Sequence, residues 1–184
     1  MKKDKEQGII KSGLLLFGIT GILALVLAAA NSITEPIVAA AREERVAAAR
    51  LEVLPQLSGL SLGDTLHIEG IERGVTAFTR AYAGGQYAGS AFELTIQGAQ
   101  GPIVTMLGLD GDGSVIDIVF LSHSETPGIG DRIDDLGFRQ SFVGQNPLAL
   151  NVDTITGATA SSAAVINGII NHLADIESEL GGSQ

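Results

Sequence analysis

The sequence contains no cysteine and no tryptophan. The first absence rules out disulfides, thiol nucleophiles and cysteine-ligated iron–sulfur clusters. The second, with only 6 Phe and 2 Tyr in 184 residues, leaves few rings for stacking sugars or bases. Cations are scarce as well. Between positions 51 and 137 there are only Arg73, Arg80 and Arg132, and the net charge is −10. A nucleic-acid partner is therefore not expected, because binding phosphates requires a basic surface. The 3 histidines, His67, His123 and His172, lie far apart and lack metal-ligand spacing.

What the chain does have is glycine, 24 residues of it, and one long apolar run. Residues 12–34 carry no charge. At ~1.5 Å per helical residue such a run can cross a ~30 Å hydrocarbon core. A signal peptide ending at Ala28-Ala29-Ala30 is the alternative, but the run exceeds the usual signal core. The reading is an uncleaved anchor over 12–34 behind a short tail, 1–11. Lys2, Lys3, Lys5 and Lys11 precede the span, and the first cation after it is Arg42. That bias predicts a cytoplasmic N-terminus and an extracytoplasmic domain. Glu35-Pro36 then opens an Ala-rich helical stretch, 35–55, with Pro36 at the first helical position and Pro55 closing it. Its mixed faces suggest a solvated stalk.

From 56 onward the pattern is that of strands. Residues 65–69, 76–82, 87–96, 103–109 and 115–121 are candidates, and Gly84-Gly85 marks a hairpin turn. Asp110-Gly111-Asp112-Gly113-Ser114 imitates the start of a calcium loop. Val115 and Leu121 stand where that loop needs Gly and Glu, so the segment reads as a turn. A short helix over 132–142 and a final helix ending near Leu180 complete an α+β domain, a twisted antiparallel sheet with a few helices, over 56–184.

Two loops stand out. Asp153-Thr154-Ile155-Thr156-Gly157-Ala158-Thr159-Ala160-Ser161-Ser162 enters the final helix. A helix N-terminus has unpaired N–H groups and the positive end of a dipole, so it suits a phosphate. The plainer reading is an N-cap, with Thr156 the candidate. One cap needs one hydroxyl, and several are crowded here. The second loop, His123-Ser124-Glu125-Thr126-Pro127-Gly128-Ile129-Gly130, is tight and small-chained, so its backbone can approach a planar ligand. A hydrolase triad of Ser161 or Ser162 with His123 is not expected, because no Gly-x-Ser-x-Gly surrounds either serine.

Asp153-x-x-Thr156-Gly157-Ala158-Thr159 resembles the flavinylation motif of the FMN-binding domain. That domain is shared by RnfG, a component of the Rnf complex, and by NqrC, a component of the sodium-pumping NADH:quinone reductase. The 123–130 loop resembles the His-x-Glu-Thr-Pro-Gly-Leu-Gly signature of the same domain, with Ile129 for Leu. The resemblance implies that Thr159 carries FMN through a phosphoester bond, attached by a flavin transferase from FAD. It also implies that Asp153, Thr156, Gly157 and Ala158 build the attachment site. Glu125, Thr126, Pro127, Gly128 and Ile129 would line the isoalloxazine pocket, and His123 would either join the cofactor site or be a strand-end residue hydrogen-bonded to the backbone. The aromatic-rich helix of the family has its Trp missing here, in 138–145. The implied function is electron carriage inside the Rnf complex, which links ferredoxin and NAD to ion movement across the bacterial inner membrane. The partners would be the other membrane subunits. The chain's modest length favours the RnfG type over the longer NqrC type. A cofactor-free extracytoplasmic binding or scaffold module is the reading from another class.

Overall fold

A computed structural model describes residues 2–54, 59–68 and 73–181, and side chains for all of these except 2–10, 12 and 175–181. Pro55 and Glu69 lie outside the described residues, as do the side chains of Lys2, Lys3 and Lys5. The chain forms two compact units, Met1–Glu44 and Arg45–Gln184.

Helix α1 (Lys2–Glu52) supplies all the described residues of the first unit and the start of the second. Within it, Gly13–Glu52 contains a stretch long and apolar enough to cross a membrane, with none of that window buried. Leu14, Leu16, Phe17, Leu25 and Leu27 are all exposed. A surface of that kind suits lipid rather than water, and it fits a single-pass membrane anchor. Pro36 sits inside α1, not at the start of a second helix. One proline removes only one hydrogen bond, and the Ala-rich sequence on either side is strongly helix-forming.

The second unit is built on a five-stranded antiparallel meander in the order β1-β2-β3-β4-β5. The strands are β1 (Leu60–His67), β2 (Gly74–Ala83), β3 (Gln86–Gln97), β4 (Pro102–Asp110) and β5 (Val115–His123). The hairpin expected at Gly84-Gly85 is present. Both glycines have positive φ, 58° and 83°, which matches the twist of the flanking strands. The turn expected at Asp110 is also present: Asp110 Oδ1 accepts the N–H groups of Asp112 at 2.9 Å and Ser114 at 2.8 Å.

Alternation divides the sheet into two apolar faces. Leu94 and Ile96 of β3 and Ile103 and Leu107 of β4 belong to the larger core. There they meet a 3-10 helix (Gly130–Asp134), a short α2 (Leu136–Gln140) and the long α3 (Thr159–Gly181) through Ile133, Phe138, Val165 and Ile169. Each of these buried apolar side chains contributes about 1.5–3 kcal/mol. Gly168 lets α3 approach the sheet closely, because a Cβ there would lie 2.5 Å from Ile96 Cγ2. In a second cluster Ala81, Ala91 and Met106 are covered by Ala49, Val53 and Leu54, all buried. The end of α1 is therefore docked on the sheet and not solvated.

Candidate functional site

The segment before α3 is folded by Ser162. Its buried hydroxyl accepts the Ile155 N–H at 3.0 Å and lies 2.8 Å from the Ala158 carbonyl. Ala158 donates back to the Ile155 carbonyl at 2.9 Å, which closes a turn around Gly157. Gly157 has φ +88°, a value that favours glycine. Arg132 holds the same turn from outside, donating from Nη1 to the Thr156 carbonyl at 2.8 Å.

This geometry changes the capping assignment. The helix begins at Thr159, and the Ala158 carbonyl accepts its first backbone bond, from Ser162. Ala158 is thus the capping position, and Thr156 lies two residues before it. Thr156 is exposed, and its carbonyl is the group in use. Of the hydroxyls in the first turn, Ser161 and Ser162 are buried and bonded while Thr159 is exposed. The closest partner of Thr159 Oγ1 is the Ile155 carbonyl at 3.5 Å, a long contact.

The 123–130 loop is organised by one carbonyl. Thr126 O accepts from Ile129 at 3.1 Å, Gly130 at 2.9 Å and Asp131 at 3.4 Å. This tight arrangement leaves Thr126, Pro127, Gly128 and Ile129 exposed, with Gly128 at φ +75°. Glu125 differs from them. Only 5% exposed, its carboxylate accepts the Ser161 hydroxyl at 2.5 Å and the Gln100 N–H at 3.2 Å. The two loops noticed separately in the sequence therefore meet, at a bond between Glu125 and Ser161.

His123 ends β5 and turns both ring nitrogens toward neighbouring protein groups. Nδ1 accepts the Glu125 N–H at 3.3 Å, so the ring proton sits on Nε2, 3.1 Å from Asp134 Oδ2. Neither nitrogen bonds Ser161, whose proton goes to Glu125, so these groups form no nucleophilic triad. Asp153 is exposed and borders a cleft of about 440 Å³, whose walls include Arg132, Phe138, Ser141 and Ile155. Sequence reading did not single out Arg132 as a turn-holding residue, nor Ser161 as a buried partner. The helical spacing of Ser161 and Ser162 with Val165, Ile166 and Ile169 puts both serines on the core face, and that was the available signal.

The arrangement leaves room for a phosphate group at the start of α3. A hydroxyl stands exposed where the first N–H groups of a long helix lack intrahelical partners. Beside it, Gly157 leaves open space, the nearest atom to an added Cβ being Arg132 Nη1 at 3.9 Å. The walls of the 440 Å³ cleft carry one cation, Arg132, two acids, Asp135 and Asp153, and the largely buried ring of Phe138.

Residues 98–174, which contain both loops, match the FMN-binding domain family. An FMN-binding domain thus occupies residues 98–174. Over most of its length the chain is similar to the G subunit of the ion-translocating oxidoreductase complex of Stutzerimonas stutzeri, 30% identical with 84% of this chain and 75% of that protein covered. It is 31% identical to the corresponding protein of Cereibacter sphaeroides, over 91% of this chain and 84% of that one. Against the G subunit of the proton-translocating ferredoxin:NAD(+) oxidoreductase complex of Clostridium ljungdahlii it is 28% identical, over 99% and 100%. The chain belongs to the family formed by the G subunits of ion-translocating oxidoreductase complexes. The crystal structure of Shewanella oneidensis NqrC shares its fold, with a TM-score of 0.51 and 16% identity over 73% of this chain and 74% of that one.

Proposed function

We propose that this protein is a membrane-anchored electron carrier that holds FMN covalently on Thr159 and passes electrons within an ion-translocating ferredoxin:NAD oxidoreductase complex. One observation carries the attachment site: Thr159 is the exposed hydroxyl in the first turn of α3, while Ser161 and Ser162 in the same turn are buried. Bound there, the flavin would supply the electron chemistry, and the chain would supply orientation and confinement. Attachment joins Thr159 Oγ to the phosphorus of the FMN half of FAD. The pyrophosphate bond breaks, AMP leaves and the hydroxyl proton is released to solvent. The helix N-terminus stabilises the remaining phosphodiester charge by ~0.3–1 kcal/mol. Asp153, Thr156, Gly157 and Ala158 shape the turn that presents Thr159. Thr126, Pro127, Gly128 and Ile129 are the exposed loop residues available to the ring, and His123 and Glu125 hold that loop from behind.

Residues 12–34 are the membrane span, 35–55 the connecting segment and 56–184 the flavin domain. The lysines ahead of the span support a cytoplasmic N-terminus and an extracytoplasmic flavin. In a bacterial inner membrane the electron partners are the other membrane subunits, and a flavin transferase is the maturation partner. Covalent attachment keeps a flavin outside the membrane from diffusing away.

The test is intact mass of the full chain co-produced with a flavin transferase, together with fluorescence after denaturation in SDS. One added FMN, lost in Thr159→Val, is the expected result. A colourless wild-type protein would favour a cofactor-free binding module instead, and flavin retained in Thr159→Val would refute the attachment site.

A further inference from the structure

The Glu125 carboxylate is buried, and burying an acid is expensive unless donors surround it. Here the surroundings are built to receive it. Ser161 Oγ donates to Oε2 at 2.5 Å and the Gln100 N–H to Oε1 at 3.2 Å. Two glycines leave it room. A Cβ at Gly98 would overlap Oε1, and one at Gly130 would lie 2.8 Å from Oε2 and 2.8 Å from Ser161 Oγ. The Glu125 N–H is fixed in turn by His123, itself paired with Asp134. The carboxylate thereby joins the β3–β4 connection, the 123–130 loop and the first turn of α3 at a single point. Ser161 lies two residues after Thr159 in that turn, so its anchorage sets where the Thr159 hydroxyl stands.

We propose that Glu125, acting through Ser161, is the positioning residue for flavin attachment: it fixes the first turn of α3 so that the Thr159 hydroxyl is presented in register to the transferase. This rests on the reading of Thr159 as the attachment site. A geometric role of this kind acts on the turnover of the attachment reaction, because small displacements of a reacting hydroxyl are costly there. It leaves the affinity of the transferase for the folded protein unchanged.

The experiment uses the purified full chain in detergent, a flavin transferase and FAD, with incorporation followed by intact mass. Glu125→Gln and Ser161→Ala are expected to lower kcat for incorporation by roughly tenfold or more, with KM for the protein substrate unchanged within about twofold. Leu173→Ala, a core change far along the same helix, is the stability control and should be loaded at the wild-type rate. Incorporation by both site variants at the wild-type rate, or slowed only as far as Leu173→Ala, overturns the proposal. Should Glu125→Gln fail to accumulate as folded protein, Ser161→Ala decides alone, since it keeps the acid and removes only the tether. Wild-type protein that takes up no flavin defeats the attachment reading and this inference with it. Loaded wild type beside normally loaded variants defeats this inference only.

Discussion

Arg132 donates from Nη1 to the main-chain carbonyl of Thr156 at 2.8 Å, fixing from outside the turn that leads into α3. Its Nε also lies 3.6 Å from Asp135, within an exposed pair that contributes little. The carbonyl bond is the consequential one, because the next residue, Gly157, must hold φ +88°. Arg132→Ala is expected to cost about 0.5–1.5 kcal/mol in thermal or urea unfolding. It should slow flavin incorporation more than that loss explains. Equal incorporation rates in variant and wild type would show that the turn holds its shape without the arginine.

Two glycines should respond differently to alanine. At Gly157 the backbone is left-handed but the space is open, so Gly157→Ala costs only conformational strain, about 1 kcal/mol. At Gly108 a Cβ would overlap the Val53 carbonyl oxygen, and a backbone atom cannot step aside alone. Gly108→Ala must lift the end of α1 from the sheet, at a cost of about 3 kcal/mol. Chemical denaturation of the two variants ranks them, and a Gly108→Ala protein as stable as Gly157→Ala would show that the docking of Val53 is loose.

The sheet was legible because its signals are local. Alternation gave the later four strands nearly residue for residue, and Gly84-Gly85 marked the hairpin. Strand β1 begins at Leu60, ahead of the 65–69 expected, and its mixed burial leaves little alternation to mark that start. What escaped reading depends on contacts distant in sequence. Nothing near Ala49 or Val53 announces that Met106 and Ala91 lie beneath them. The site was recognised as two loops through their composition. Their meeting at Glu125 and Ser161 spans 36 residues and needed coordinates. Thr156 does not cap, for a physical reason. A threonine before an apolar run normally caps, but here Ser162 reaches back to close the turn, and the helix starts only at Thr159.

That correction is itself testable. Thr156 as a true cap would lose about 1 kcal/mol on change to alanine. With its hydroxyl exposed and the helix beginning at Thr159, Thr156→Ala should fall within about 0.5 kcal/mol of wild type. Ser162→Ala should instead cost about 1–3 kcal/mol, because the Ile155 N–H loses its acceptor in a partly buried position. Melting curves that reversed this order would return the cap to Thr156.

Arg139 ties the end of α1 to β5. Its Nη2 bonds Glu52 at 2.8 Å, at the end of α1, and Asp117 at 2.9 Å, on β5. Burial works against the guanidinium charge, but Glu52 and Asp117 outweigh it and raise the pKa above its ordinary value. A group with a raised pKa contributes stability until pH climbs through the folded value, which for arginine lies beyond any working range. Arg139→Ala is therefore expected to cost a constant amount, about 1 kcal/mol, between roughly pH 6 and 9, where carboxylates stay ionised. The loss should shrink in high salt, since Glu52 is half exposed. Amide exchange in 45–52 should quicken in the variant, because the docked turn then leans more on its apolar contacts through Ala49, Val53 and Leu54. Unchanged exchange there would mean that those contacts hold the helix end without the arginine.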